Sequence, residues 1–217
     1  VALSLRVALV AAVASLPLAV AAGWLLARRR FPGKAVLDAL IHLPLVLPPV
    51  VVGYLLLVAL GSQGTIGRML GTVGIEFAFR WTGAALASAI MGFPLMVRAI
   101  RLSIEQVDRR LEQAAATLGA SPWRVFRTIT LPQVAPGVLS GALFAFATSF
   151  DEVVVTLFLA GPEQITLPRQ MFSGIRENLS PTIAAAATLL IGFSIALLLT
   201  LEWLRGRAEK LRTQQPA

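Results

Sequence analysis

The chain has 217 residues, 57% of them hydrophobic and 14% charged, with a mean hydropathy of +0.78, a balance that excludes an ordinary water-soluble domain. A net charge of +8 would suit nucleic acid only on a soluble domain with a basic face; here the charges lie between apolar runs, so no nucleic-acid partner is expected. The absence of cysteine excludes disulfides and thiolate sites, and the single histidine, His42, lacks the companions of a catalytic metal site, which takes about three protein ligands.

A hydrocarbon core about 30 Å thick takes roughly 20 apolar residues per helix. Five stretches are long enough, at about 5–27, 35–60, 82–100, 134–159 and 182–204. An all-α membrane protein is expected, with residues 1–217 forming a single transmembrane domain in contact with membrane lipid. The first stretch is too long for the apolar region of a signal peptide, and its basic cluster follows it; the start on Val1 and not Met is compatible with missing N-terminal residues. Pro44, Pro48 and Pro49 interrupt the second stretch, Pro94 the third, and Pro136 stands near the start of the fourth. Proline removes a backbone donor and kinks a helix, which a membrane tolerates where neighbouring helices or a water-filled path satisfy the freed carbonyl. Pro48, Pro49 and Pro94 are thus candidates for a transport path, with packing kinks as the plain alternative.

Lysine and arginine mark the cytoplasmic side of a membrane protein. One side receives Arg28, Arg29, Arg30 and Lys34, then Arg98, Arg101, Arg109, Arg110, Arg124 and Arg127, then Arg205, Arg207, Lys210 and Arg212, which is 14 of the 19. The N-terminus is therefore expected outside and the C-terminus in the cytoplasm. The connection from about 102 to 131 then lies in the cytosol. It carries a helix-forming run ended by Gly119, a helix start at Ser121-Pro122 and a stop at Leu131-Pro132, so two short helices joined by a tight turn are expected. Ala114, Ala115, Ala116 and Gly119 permit close backbone approach, as a docking surface requires; a solvated surface helix is the alternative.

Gln113-Ala114-Ala115, three residues, Gly119, nine residues, Ile129, one residue, Leu131-Pro132 resembles the EAA loop of ABC importer permeases, with Gln113 where that pattern has glutamate. The resemblance implies a type I permease fold whose loop forms a coupling helix held in a cleft of a cytoplasmic ATPase dimer. It also implies a second permease copy or a related permease, and an external, periplasmic substrate-binding protein, in a bacterial or archaeal inner membrane. The chain has no G-x-x-x-x-G-K-[ST] loop. ATP and magnesium are therefore expected on a separate ATPase, with no cofactor and no catalytic or metal residues in this transport subunit.

Residues 4–143 resemble the molybdate ABC transporter permease, through Phe31-Pro32-Gly33-Lys34-Ala35, His42-Leu43-Pro44-Leu45-Val46-Leu47-Pro48-Pro49 and Phe93-Pro94-Leu95-Met96-Val97-Arg98. Residues 144–204 resemble the polyamine (spermidine/putrescine) permease, through Ser149-Phe150-Asp151-Glu152-Val153 and Thr166-Leu167-Pro168. Coverage favours molybdate or a similar oxyanion, with polyamine as the alternative. Asp151 and Glu152 fall in or near the fourth stretch, where ionised groups mark functional sites by default. Neighbours on a helix point about 100° apart, so only one could face the bundle centre, and a carboxylate there would favour a polyamine and oppose an oxyanion. A boundary position facing water or an arginine is the alternative. Thr148, Ser149 and Thr156 could supply the hydroxyls that an oxyanion path wants. An intramembrane enzyme would need a paired nucleophile and base or matched acids, which the chain does not show, and an ion-coupled carrier usually shows internal repeats.

Overall fold

The computed structural model describes residues 1–177 and 181–213, without the side chains of 175–177, 181–183, 201, 204, 205 and 207–213. The side chains of Arg205, Arg207, Lys210 and Arg212, among the basic residues assigned to the cytoplasmic side, lie outside the described residues. Among the described residues every regular element is a helix: α1 (Ala2–Arg28), α2 (Lys34–Val46), α3 (Pro49–Leu60), α4 (Thr65–Gly71), α5 (Trp81–Glu105), α6 (Arg109–Thr117), α7 (Pro122–Val125), a π-helical turn (Phe126–Thr130), α8 (Leu131–Asp151), α9 (Val154–Leu159), α10 (Leu167–Glu177) and α11 (Pro181–Thr213). Three runs, Ala2–Arg28, Trp81–Glu105 and Pro122–Asp151, are each long and apolar enough to cross a bilayer, and α2 with α3 pass together as a pair bent by 111°. The described apolar stretch of α11 is Ala184–Thr200.

The direction of each helix follows from what it touches. Arg6 lies over the Trp81 ring at 4.0 Å, while Gly23 abuts Ile100, so α1 and α5 run parallel. The chain must return between them, and the bent α2–α3 pair is the segment that does so. α8 runs antiparallel to α5 along a seam of small residues. Gly137, Gly141 and Ala145, spaced four apart on α8, face Ser103, Met96 and Gly92. A Cβ on Gly92 would stand 3.1 Å from Ala145, and one on Gly137 would collide with Ser103. Helices in lipid gain nothing by hiding apolar surface from one another, so close small-residue packing of this kind is what holds them together.

The main core, Leu26, Met96, Val97, Ile100, Ile104, Val107 and Val134, joins α1, α5 and α8 at one end of the bundle. Val7, Ala84, Ala85 and Ala160 close the opposite end, where the Ser4 hydroxyl accepts from the Leu167 amide at 2.7 Å. Outward faces are apolar, with Val50, Tyr54, Leu55 and Val58 on α3 and Leu189, Ile191, Ile195 and Leu198 on α11 exposed. That inversion suits a chain whose solvent is lipid.

The prolines do not all act alike. Pro17, Pro44, Pro94 and Pro136 remain inside their helices, so Pro94 leaves the third span continuous. The break comes at Pro48-Pro49. Leu47, held extended (ψ 142°) as residues before proline are, ends α2, and Pro49 begins α3 at a position that needs no amide. The fourth span also breaks, at Glu152-Val153 between α8 and α9, where the sequence has no proline. The stretch 134–159 is thus two helices. Leu131-Pro132 is likewise no stop: helix runs through it, because a π turn precedes it. In that turn the Leu131 amide bonds back to Phe126, a wider winding that relieves the crowding a proline ring imposes on the carbonyl four residues earlier.

Candidate coupling loop and translocation path

The connection between α5 and α8 is built by local rules. Val107 is buried and fixes its start. The Asp108 carboxylate caps α6, accepting from the Arg110 amide at 2.8 Å. At the other end the Gly119 amide donates to the Ala116 carbonyl at 3.0 Å and the Ala120 amide to Ala115 at 3.0 Å. This is a Schellman closure with Gly119 at φ +83°. No atom stands where a Gly119 Cβ would go, so backbone conformation and not space requires glycine there. Ser121 then caps α7 by accepting from the Arg124 amide, with Pro122 first in the helix. The two short helices and the tight turn between them are as the spacing predicts.

Within the loop, Gln113, Ala114 and Gly119 are exposed, Ala115 and Ile129 are half-buried, and Leu131 and Pro132 are exposed at the root of α8. The sequence reading passed over two groups. Leu118 and Trp123 project beside the turn, 89% and 68% exposed, an apolar pair at the loop's tip that water alone does not favour. Glu112, next to the motif's first position, turns inward to bond Arg28 at 2.9 Å and the Thr130 hydroxyl at 2.6 Å. The available signal was Trp24 and Arg28 standing four apart at the end of the first span.

The two broken spans meet one another. Past their breaks, α3 and α9 pack on each other and on α5, burying Val52, Leu60, Ala87, Met91, Val155 and Leu159 together. A Cβ on Gly53 would stand 2.6 Å from the Phe158 ring. Pro48 and Pro49 lie at one break, Thr148, Ser149, Asp151 and Glu152 at the other, and Pro94 is buried within α5. The expectation that Asp151 and Glu152 splay from one helix is corrected, because the helix ends between them and Glu152 is extended (ψ 118°). Asp151 is exposed. The Glu152 carboxylate accepts from the Val155 amide at 2.9 Å, satisfying a donor that the start of α9 would otherwise leave free. Ser149 is 4% exposed and its hydroxyl has no protein partner, as is true of Ser88 on α5. Thr156 is buried, but its hydroxyl bonds to the Val153 and Glu152 carbonyls.

At the end of the bundle where α1 and α5 finish, charges pair with one another. Arg101 bridges Asp38 at 2.9 Å and Glu105 at 2.8 Å, and His42 sits 3.2 Å from Asp38. His42 is thereby a boundary residue, and among the described residues no group of three histidine, aspartate or glutamate side chains could hold a metal.

Residues 16–211 match the family described as binding-protein-dependent transport system inner membrane component. The chain belongs to that family. This inner membrane component is 52% identical over 210 residues to the molybdenum transport system permease protein of Escherichia coli, covering 93% of this chain and 90% of that one. It is 51% identical over 214 residues to the same-named protein of Haemophilus influenzae, covering 96% and 93%. With the sulfate transport system permease protein of Escherichia coli it shares 32% over 188 residues, 85% of this chain and 68% of that one. Among solved structures it resembles a bacterial alginate ABC transporter in complex with an alginate pentasaccharide-bound periplasmic protein (TM-score 0.68, 15% identity, 97% and 77% covered). It also resembles an inward-facing methionine ABC transporter (TM-score 0.65, 16% identity, 96% and 91% covered). These two likenesses show the type I permease fold. The component is an integral membrane transport subunit of an ABC importer and not an enzyme.

Proposed function

We propose that this permease carries molybdate across the inner membrane, with a cytoplasmic ATPase dimer, a second permease copy and an external binding protein as its partners. The observation that carries the reading is the identity to molybdenum permeases, which spans nearly the whole chain and so continues well past residue 143. That extent leaves the polyamine reading of 144–204 with no better support. The chemistry of the breaks agrees. Asp151 is exposed and the Glu152 carboxylate is engaged by the start of α9, while the buried Ser149 hydroxyl has no protein partner.

The excess of lysine and arginine at the end where α1 and α5 finish puts that end in the cytosol, with the N-terminus outside and the C-terminus inside. The loop with Gln113, Ala114, Ala115 and Gly119 at its tip, and Ile129, Leu131 and Pro132 at its root, then faces the ATPase. ATP and magnesium act there, in the partner. Closure of the ATP-loaded dimer shifts the permease between inward- and outward-facing states only if the dimer holds the loop differently in the two. A capped helix with a fixed turn transmits that difference better than a loose chain.

The test is reconstitution in liposomes with the ATPase subunit and candidate binding proteins. Hydrolysis stimulated by the molybdate-loaded protein, and not by sulfate- or spermidine-loaded ones, is the expected result. Stimulation by a spermidine-loaded protein alone would overturn the substrate.

A further inference from the structure

The end of α1 has its own grip on the coupling loop, outside the motif. Trp24 and Arg28 stand on one face of α1. The Trp24 ring meets Phe126 edge-on with centroids 6.2 Å apart, and Phe126 stacks on Trp123 at 5.6 Å. The Arg28 guanidinium lies 5.5 Å from the Trp24 ring centroid, within cation–π range, and donates to Glu112 Oε1 at 2.9 Å. The same oxygen accepts from the buried Thr130 hydroxyl at 2.6 Å. One carboxylate thereby ties the end of α1, helix α6 and the π turn that leads into α8.

The tie matters because α6 is poorly anchored otherwise. It has no buried residue of its own; apart from this tie it is held by buried Val107 just before its start and by the single turn at Gly119 after its end. The Arg28 and Glu112 side chains are 10% and 21% exposed, and in such partly dry surroundings a charge-assisted hydrogen bond is strong and costly to break.

We infer that Arg28 and Trp24 are positioning residues of the transport cycle, locking the coupling loop to α1 so that displacement of the loop reaches the α1–α5 core as well as α8. The inference rests on the importer reading. Without the lock, α6 would pivot between Val107 and Gly119, and less of the loop's displacement would reach α1.

The test uses the full chain in liposomes with its ATPase and binding protein, reading molybdate uptake and ATP hydrolysis together at equal assembled protein. Glu112→Gln and Arg28→Gln are each expected to lower uptake per ATP by about tenfold with hydrolysis retained, a coupling loss in the usual range. The double variant should be no worse than either single, since both remove one link. The exchanged pair, Arg28→Glu with Glu112→Arg, should recover at least part of the lost ratio, which a merely structural role does not predict. Should Arg28→Gln fail to assemble, Thr130→Val keeps the side chain's shape and should still lower the ratio, as should Trp24→Ala, which removes the ring that Phe126 and Arg28 meet. Uptake per ATP unchanged in both Glu112→Gln and Thr130→Val overturns the inference alone. A wild-type assembly whose hydrolysis no loaded binding protein stimulates overturns the importer reading, and this inference with it.

Discussion

The coupling loop and the meeting of broken spans are built on opposite principles. In the loop, the caps and the turn each have a neighbour in sequence as their cause: Asp108 caps α6, Gly119 ends it, Ser121 and Pro122 start α7. Where α3, α9 and α5 pack past the breaks, residues far apart in sequence decide the geometry, as where Gly53 admits Phe158 and Gly83 lets α5 approach the carbonyl of Leu159. In the proposed function the loop is gripped by a separate ATPase, and such a surface must hold its own shape before the partner arrives. A path that opens and closes is better held by contacts between segments, since those can be exchanged without refolding either one.

The largest expected effect strikes both regions together. Gly137→Leu forces a branched side chain into Ser103 on the α5–α8 seam, an overpacking that costs at least about 1–3 kcal/mol. Folded subunit recovered in mild detergent should fall severalfold, with coupling and path lost alike. Gly119→Val separates the regions. A β-branched residue at φ +83° costs about 1–2 kcal/mol and tilts α6, so insertion should persist while uptake per ATP falls about tenfold. Equal uptake at equal expression would show that the turn has no part in coupling. Leu118→Ser probes the loop's tip without touching its frame, since that side chain is 89% exposed. Thermal stability of the free permease should hold while ATPase affinity, read by co-purification across dilutions, weakens about tenfold, a modest loss for an interface anchor. The smallest effect belongs to the breaks. Glu152→Ala removes the cap of α9 and should cost about 1 kcal/mol of local stability, visible as faster amide exchange over Val154–Leu159, with substrate choice unchanged. A gain of polyamine-dependent stimulation, or its appearance in the wild type, would show instead that this carboxylate faces cargo.

Much of the loop was legible because capping and turn chemistry act over three to five residues. The spacing from Gln113 through Gly119 to Ser121-Pro122 reads directly as helix, turn and helix, whereas the stop expected at Leu131-Pro132 is absent because the π turn carries helix through it. What the spacing did not convey was the role of Glu112. Its partners Arg28 and Thr130 are 84 and 18 residues away, and no local rule says which of two neighbouring polar residues turns inward. The spans were legible as apolar lengths, yet their continuity was not. Proline marked the break at Pro48-Pro49 correctly and suggested another at Pro94 that packing within α5 overrides. The break at Glu152-Val153 carried no proline at all. It exists where a carboxylate can serve the first amides of α9 while α9 itself packs against α3.

By itself, the sequence determined that the chain lives in a bilayer, which end carries the basic clusters and where the coupling motif stands, since each of these depends on composition or on spacing along one helix. The tertiary structure decided that α1 and α5 run parallel, that α8 closes on α5 through Gly92, Gly137 and Gly141, and that α1 grips the loop through Arg28. Those are meetings of segments remote in the chain. In lipid they are settled by shape fit and by the satisfaction of buried polar groups, and neither can be read from hydrophobicity.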